Sequence, residues 1–166
     1  MSKVYLSNKC PICGNKIYLN SHGYRCERCS FHIKNYICNR HLTIEEVEDI
    51  LAGKQIILDG FSSNMGEVFS SIPVVKGNTI RLDNTVVQIP QVGRVVVGTK
   101  YFVFDKERHN TSFRLQRMYN GHFVTVDEVK TLLYQGKVVI DTYDGQGNKR
   151  NNELHLNYNK MRVMFQ

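Results

Sequence analysis

The sequence contains no long apolar run. No stretch of its 166 residues approaches the roughly 18 consecutive apolar residues of a membrane-spanning helix. The first residues, MSKVYLSNKC, also lack the apolar core of a secretory signal peptide. We therefore expect a cytoplasmic protein. Apolar residues make up 42% of the chain and charged residues 22%, which is the balance of a globular protein and excludes general disorder.

Catalytic motifs are missing as well. The chain has 6 histidines and 15 Asp or Glu residues, but no Ser-His-Asp order, paired-carboxylate motif or open metal site can be assembled from them. We therefore expect that the protein is not an enzyme. Residues 106–110 and 144–147 have neither metal-loop nor phosphate-loop spacing, so both are expected to be turns between strands.

Acidic residues are scarce near the N-terminus. Residues 1–41 contain seven Lys or Arg and a single acid, Glu27, which gives this segment a charge of +6. Residues 42–85 carry −4 and residues 86–166 carry +5, and together the three segments give the net charge of +7. This distribution indicates that an anionic partner would bind the N-terminal segment.

The five cysteines are an odd number, which fits disulfides poorly, and reducing cytosol favours metal binding instead. Cys10-Pro-Ile-Cys13 and Cys26-Glu-Arg-Cys29 are two C-x-x-C pairs separated by twelve residues. Each pair can aim two thiolates at one ion, and the intervening segment is long enough for a hairpin. Residues 1–41 are therefore predicted to form a zinc ribbon around one structural Zn²⁺, with a closed site that leaves no position for a catalytic water.

Other roles for these cysteines stay open. A redox C-x-x-C pair needs only one such motif and a thioredoxin-like context, so it explains the pattern less economically. Cys38-Asn-Arg-His41 is a possible C-x-x-H knuckle, and His22 and His32 lie close in sequence. Because four cysteines already complete a tetrahedral shell, Cys38 and His41 are expected in a structural role, as core or helix-entry residues, with alternative or second-metal ligation as the competing hypothesis.

An internal repeat relates residues 43–58, TIEEVEDILAGKQIIL, to residues 125–140, TVDEVKTLLYQGKVVI, at an offset of 82 with one residue inserted before the glycine of the second copy. Each copy opens with a capping box, formed by Thr43 and Glu46 or by Thr125 and Glu128, and a glycine is placed to end each helix. One apolar face of each helix is expected in a core. The faces are Ile44, Val47, Ile50 and Leu51 in the first copy and Val126, Val129, Leu132 and Leu133 in the second.

Runs rich in Val, Phe and Tyr predict strands at 85–89, 94–105 and 112–118. We therefore predict an α+β fold, with an N-terminal Cys₄ zinc ribbon followed by a β-rich region with two related helix-glycine-strand units. The predicted segments are 1–41 for the ribbon, 42–85 for the first unit, 86–122 for a β-rich connection and 123–166 for the second unit.

These motifs together resemble a known family. Cys10-Pro-Ile-Cys13-Gly14, Gly23-Tyr24, the Leu42 to Val47 helix start and Gly60-Phe61-Ser-Ser, in this order, resemble the C-terminal zinc-ribbon and repeat region of bacterial topoisomerase III-like type IA topoisomerases. The resemblance covers residues 8–72 and, as a metal-free copy, 123–145. It implies an accessory module that holds single-stranded DNA, here in a small free-standing protein similar to those of phages and mobile elements. The sequence has no Toprim acidic cluster and no matching nucleophilic tyrosine, so strand cleavage is not implied.

The basic N-terminal segment also contains aromatic residues. Cations neutralise phosphates, and exposed rings stack on the bases of a single strand. The candidate contact residues are Lys16, Tyr18, Tyr24, Arg25, Arg28, Phe31, Lys34, Tyr36 and Arg40. In the competing interpretation, Tyr24 and Phe31 simply pack over the metal site.

Two further features bear on the partner. Cations in the second half of the chain could extend a basic track, namely Arg114, Arg117, Lys149, Arg150, Lys160 and Arg162. An acidic helix face, formed by Glu45, Glu46, Glu48 and Asp49, would instead suit a basic protein surface. The alternative hypothesis is therefore a protein-binding module or inhibitor, encoded by a phage or mobile element and directed against a host enzyme or defence complex.

Overall fold

The computed structural model describes residues 2–89, 93–105, 113–160 and 162–166. The chain divides into two compact units, unit 1 (Met1–Asp83) and unit 2 (Asn84–Gln166). Strands dominate both units and each contains one helix, so the predicted α+β class is confirmed at this level. The predicted segments 1–41 and 42–85 fall within unit 1, except for residues 84 and 85. The predicted segments 86–122 and 123–166 lie in unit 2. Neither helix is long and apolar enough to cross a membrane.

Unit 1 begins with a four-stranded antiparallel sheet and continues with a two-stranded hairpin, a helix and a three-stranded antiparallel sheet. Its elements are β1 (Val4–Lys9), β2 (Lys16–Leu19), β3 (Gly23–Cys26), β4 (His32–Lys34), β5 (Tyr36–Ile37), β6 (Arg40–His41), α1 (Ile44–Leu51), β7 (Leu58–Ser62), β8 (Val68–Lys76) and β9 (Thr79–Asp83).

Unit 2 has the same kinds of element in the same order. They are β10 (Thr85–Ile89), β11 (Gly93–Val97), β12 (Tyr101–Phe104), β13 (Arg114–Gln116), β14 (Met118–Tyr119), β15 (His122–Phe123), α2 (Val126–Gln135), β16 (Lys137–Tyr143), β17 (Lys149–Asn157) and β18 (Arg162–Phe165). The segment 94–105, predicted as one strand, forms a hairpin of two strands because Gly98 and the two residues after it make a turn.

Matching hydrogen bonds occur at matching places in the two units. The Glu27 amide donates to the Lys16 carbonyl at 3.0 Å, and the Asp105 amide donates to the Arg94 carbonyl at 2.8 Å. The Leu42 amide likewise donates to Asn35, as the Val124 amide does to Arg117. The order of elements and these bonds together extend the repeat beyond the helices, to the four-stranded sheets that precede them.

Both helices start as the capping boxes predict. Thr43 Oγ1 accepts from the Glu46 amide while the Glu46 carboxylate accepts from the Thr43 amide, and Thr125 and Glu128 repeat the arrangement. A side chain three residues before each box also pairs with the same glutamate. Arg40 Nη1 lies 2.7 Å from Glu46 Oε2, and His122 Nε2 lies 2.8 Å from Glu128 Oε2. A single glutamate therefore ties the helix start to the preceding hairpin in each unit.

The two short hairpins turn through residues with positive φ. Cys38 (φ 47°) and Asn39 (φ 62°) form the β5–β6 turn, and Asn120 (φ 42°) and Gly121 (φ 80°) form the β14–β15 turn. Two successive left-handed residues are the mark of a type I′ turn, whose twist matches that of the strands. Cys38 is exposed in this turn, so the expectation that it is a core residue is wrong, and its counterpart in unit 2 is asparagine.

The core of unit 1 lies between the first sheet, α1 and the second sheet. Tyr24, Phe31 and Phe61 are among its largest buried side chains, and Tyr24 Oη donates to the Leu42 carbonyl at 3.0 Å. Val47 and Ile50 lie in this core as predicted. The prediction that Ile44 is buried is wrong, because its side chain at the first helical position is 39% exposed. In unit 2 the four apolar residues of α2 are all buried.

The two predicted turns have different outcomes. Residues 144–147 connect β16 to β17, and the Asp144 carboxylate accepts from the amides of Gln146 and Asn148, both at 2.9 Å. This bonding pattern closes the turn locally. Residues 106–110 lie outside the described part of the chain.

Gly23 should be irreplaceable in this fold. Its φ is +147°, and an added Cβ would lie 2.2 Å from the Ile33 carbonyl oxygen on the paired strand. Gly77 (φ +59°) has nothing within 4 Å of an added Cβ, so it is the matched control. We expect Gly77→Ala to cost about 1 kcal/mol from backbone strain, and Gly23→Ala at least about 2 kcal/mol more from the clash. Urea unfolding would measure both; equal costs would contradict this packing.

Glu48 should make unit 1 sensitive to acid. Its carboxylate accepts from the amides of Ser7 at 2.9 Å and Asn8 at 3.0 Å, which ties α1 to β1. Burial works to raise the pKa of Glu48, but these amides hold it below its ordinary value. The stabilisation is therefore present above the unfolded pKa of about 4.3 and lost as pH falls through the lower folded pKa.

Glu48→Gln should accordingly destabilise unit 1 by about 1 to 2 kcal/mol at neutral pH, because the carboxylate is a stronger acceptor than an amide. The difference from the wild type should shrink as pH falls through the acid range. Urea unfolding of both proteins across pH measures it. A difference that stays constant with pH would exclude the carboxylate as the cause.

Candidate functional site

Four cysteines meet at one end of the first sheet. The sulfur atoms of Cys10, Cys13, Cys26 and Cys29 all lie within 4.8 Å of one another. Cys10 Sγ is 3.5 Å from Cys29 Sγ, and Cys13 Sγ is 3.4 Å from Cys26 Sγ. Four sulfurs at about 2.3 Å from one ion would be about 3.8 Å apart, so the cluster has the dimensions of a tetrahedral metal site.

The local backbone supports these sulfurs. The turn after β1 is closed by the Gly14 amide, which donates to the Cys10 carbonyl at 2.9 Å. The Ile12 amide donates to Cys10 Sγ and the Arg28 amide to Cys26 Sγ, each at 3.4 Å. Such donors stabilise negative charge on sulfur, which is the form that binds a metal.

Hydrogen bonds and burial shift the pKa values of two of the thiols in opposite directions. A hydrogen bond from the Asn15 side chain lowers the pKa of Cys13 to about 6. The Phe31 amide works to lower the pKa of Cys29, yet burial and the three neighbouring thiols raise it to about 12. Like charges this close cannot all form together. The donor set therefore fits a cation that would compensate four thiolates.

The other candidate ligands lie elsewhere. Cys38 is in the β5–β6 turn and His41 pairs with Tyr36 in an edge-to-face ring contact of 5.1 Å. Neither belongs to the four-cysteine cluster, and neither do His22 and His32. The shell of four sulfurs is thus complete without them.

Unit 2 contains no cysteine. Phe104 stands where Cys26 stands in unit 1, and its ring lies 5.1 Å from that of Phe113, the counterpart of Phe31. Arg94 and Asp105 occupy the places of Lys16 and Glu27 and form an ion pair. Aromatic packing and one ion pair hold the described end of this sheet, where unit 1 has the four sulfurs.

The outer face of the first sheet carries an aligned row of side chains. Tyr5 pairs with Tyr18, Tyr18 with Arg25, and Arg25 with His32, so one residue from each of the four strands points to the same side. Tyr5 is 43% exposed, Arg25 is exposed and the other two are half-buried. We call Tyr5, Tyr18, Arg25 and His32 the stacking row.

Lysines flank the stacking row. Lys3 Nζ lies 4.3 Å from the centre of the Tyr18 ring, and Lys16 Nζ lies 5.1 Å from that of Tyr5. Lys34 is exposed on β4, two residues from His32 and on the same face. The acid of this region, Glu27, accepts from Tyr5 Oη at 2.6 Å. The row therefore combines planar rings with fixed positive charges.

Three predicted contact residues are structural instead. Tyr24 is 2% exposed and Phe31 is fully buried, because alternation along β3 and the turn into β4 direct them to the core. Neither can offer a ring face to a base. Arg40 makes two hydrogen bonds of 2.7 Å with the Glu46 carboxylate, which holds its charge at the start of α1.

The remaining predicted residues divide by position. Lys16, Tyr18, Arg25 and Lys34 share the outer face of the first sheet. Arg28 is exposed in the second Cys-x-x-Cys turn, and Tyr36 is 62% exposed on the β5–β6 hairpin. Lys3, Tyr5 and His32 lie at the same face but were not among the predicted contact residues. The alternation of Tyr5 with buried Leu6 was a usable signal, but the pairing of β1 with β2 was not readable from sequence.

Most cations of the predicted basic track in the second half of the chain interact with other groups of unit 2. Lys149 pairs with Asp141 at 2.9 Å and Arg150 with Asp144 at 3.2 Å. Arg117 is buried and donates to the Gly98 and Thr99 carbonyls. Arg114 lies over the Tyr101 ring. Lys160 and Arg162 are exposed.

Comparison with protein-family models, curated proteins and solved structures gives no match to this chain. The resemblance to topoisomerase accessory regions therefore stays a prediction. The four-cysteine cluster and the stacking row are the features of the described residues that bear on function.

Cys26→Ser should remove a bound metal and loosen unit 1, because three thiols no longer complete the shell. Cys38→Ser is the matched control, since Cys38 lies outside the cluster. We expect one metal equivalent per chain in the wild type and in Cys38→Ser, and much less in Cys26→Ser. Metal analysis and amide hydrogen exchange measure this, with faster exchange expected in unit 1 only. Equal metal content in all three proteins would refute the site.

Proposed function

We propose that the protein is a non-catalytic zinc-ribbon module that binds single-stranded nucleic acid, most favourably single-stranded DNA, on the outer face of the first sheet. The observation that carries this proposal is the stacking row with its flanking lysines. A structural Zn²⁺ in the four-cysteine cluster would hold the loops that end β1 and join β3 to β4.

Zinc is the metal that suits this donor set. Four thiolates in tetrahedral geometry are characteristic of structural Zn²⁺ or of iron-sulfur centres, and the C-x-x-C spacing on two turns is common in zinc ribbons. With four protein ligands the ion keeps no open position for water. We accordingly propose that the metal stabilises the fold and takes part in no reaction.

The chemistry of the row favours a single strand. Unpaired bases expose their flat faces, which stack on aromatic side chains for about 1 to 3 kcal/mol each with little sequence preference. Lysine ammonium groups lie over the tyrosine rings in the free protein. On binding, a base would replace the ammonium on the ring while a neighbouring phosphate takes the ammonium. Both groups therefore remain paired.

Charge supports the same location. Residues 1–41 carry +6, and their single acid is Glu27. Phosphate contacts by such residues release counterions, so affinity should fall steeply with salt. The corresponding row in unit 2, Thr85, Val96, Val103 and Arg114, has one cation and no aromatic ring. Binding is therefore assigned to unit 1.

The alternative hypothesis of a protein-binding module was based mainly on the acidic face of α1, and the contacts of that face weaken it. Three of the four acids on α1 have partners within unit 1: Glu46 with Arg40, Glu48 with the Ser7 and Asn8 amides, and Asp49 with Lys54 at 3.1 Å. These contacts leave little unpaired charge for a basic partner. The proposal of a nucleic-acid partner is therefore based on the side chains of the outer sheet face, and the net charge of the chain is secondary.

Arg25→Ala and Tyr18→Ala should each weaken binding of an oligothymidylate about 5- to 50-fold, because each removes one phosphate or stacking contact. Fluorescence anisotropy over a salt series measures this, with DNA and RNA strands side by side. Arg25→Ala should also reduce the slope of log affinity against log salt, whereas Tyr18→Ala should leave that slope nearly unchanged.

Two variants in unit 2 serve as matched controls. Arg162→Ala removes an exposed cation and Tyr134→Ala removes a ring that is 63% exposed, and neither should alter the affinity. Absence of binding by the wild type at low salt would remove the proposal. Equal losses in the control variants would place binding elsewhere.

A further inference from the structure

The outer face of the first sheet has a depression beside the stacking row. It has a volume of about 140 Å³, and its lining includes His22, Gly23, Arg25, His32 and Lys34. Arg25 and His32 belong both to the row and to this depression. The two features are therefore one continuous surface.

Glycine creates the depression. Gly23 pairs with Lys34 across β3 and β4, and it contributes no side chain to the outer face. Its φ of +147° and the contact with Ile33 that an added Cβ would make exclude other residues at this position. The gap between Arg25, His32 and Lys34 is thus built into the backbone.

In unit 2 an aromatic side chain occupies the position that corresponds to Gly23. Its counterpart of Gly23 is Tyr101, which pairs with Gln116 as Gly23 pairs with Lys34. The Arg114 guanidinium lies over the Tyr101 ring, with its central carbon 4.6 Å from the ring centre, and Arg114 is the counterpart of His32. A planar ring beneath a cationic side chain therefore occupies the equivalent place in unit 2.

We infer that the depression at Gly23 takes one unpaired nucleobase, with the adjoining phosphates on Arg25 and Lys34. This inference rests on the proposed function and adds a defined base subsite at the β4 end of the stacking row. The base fills the position of the Tyr101 ring, beside His32 as Tyr101 lies beside Arg114.

Size and charge favour this occupant. The volume of 140 Å³ is well below the roughly 300 to 1,000 Å³ of sites for drug-sized ligands, so a single ring system is the expected guest. The lining residues include no carboxylate, and Arg25 and Lys34 carry fixed positive charge. A phosphate next to the bound base would pair with these positive charges. An apolar side chain of a protein partner would leave them unpaired.

The test uses His22, which lines the depression but lies outside the stacking row. Affinities are measured by fluorescence anisotropy for the metal-loaded wild type and for His22→Ala, on an oligothymidylate and on an abasic strand of equal length. We expect His22→Ala to weaken oligothymidylate binding about 5- to 20-fold and to leave binding of the abasic strand unchanged, because the contact is with the base.

Two further variants sharpen the result. His32→Ala should lose affinity for oligothymidylate. His32→Arg should retain it, since Arg114 lies over the Tyr101 ring at the equivalent position of unit 2. Arg114→Ala is the control in unit 2 and should change neither affinity. Metal content and hydrogen exchange verify that each variant is folded.

The outcomes separate the two proposals. An equal loss on both strands would show that the depression binds phosphate, and no loss in folded His22→Ala would show that it is empty. Either result overturns the base subsite while single-strand binding stands. Absence of binding by the wild type to any strand overturns both proposals.

Discussion

Four thiols within 4.8 Å of one another form the constraint on which the first sheet depends. They come from two turns, one after β1 and one between β3 and β4, so a shared cation would join the ends of three strands at one point. A sheet this short cannot gain much from its own core, and small domains commonly use a metal for this reason. Holding those strand ends together would help to keep the side chains of the outer face aligned.

The two units solve the same packing problem by different means. Both place a buried Phe after the third strand of the first sheet, Phe31 in one and Phe113 in the other. Unit 1 packs Phe31 beside a cluster of sulfurs, whereas unit 2 packs Phe113 against Phe104. An aromatic contact in place of the four-cysteine cluster requires bulk at the position of Cys26, and Phe104 supplies it. The common order of strands and helix therefore tolerates a change in what stabilises it.

This difference extends to the outer faces. In unit 1 the row of Tyr5, Tyr18, Arg25 and His32 ends beside a glycine, while in unit 2 Tyr101 fills the corresponding place beneath Arg114. An aromatic ring supplied by the chain itself leaves no room for one from outside. In unit 1 the chain supplies no ring at the position of Gly23, and Arg25 and Lys34 lie beside this position. Both properties support the proposed binding of nucleic acid by unit 1.

The sequence alone determined the two Cys-x-x-Cys turns, both capping boxes and the α+β class, since each depends on residues close together in the chain. Cys-x-x-Cys spacing and the Thr-x-x-Glu pattern act within a single turn, where few geometries are possible. Only the tertiary structure decided which aromatic rings are exposed. Tyr24 and Tyr18 look alike in sequence, but strand pairing places one against the Leu42 carbonyl and the other beside Arg25. The face of a strand that becomes core depends on its register with distant strands, and that register is a property of the folded chain.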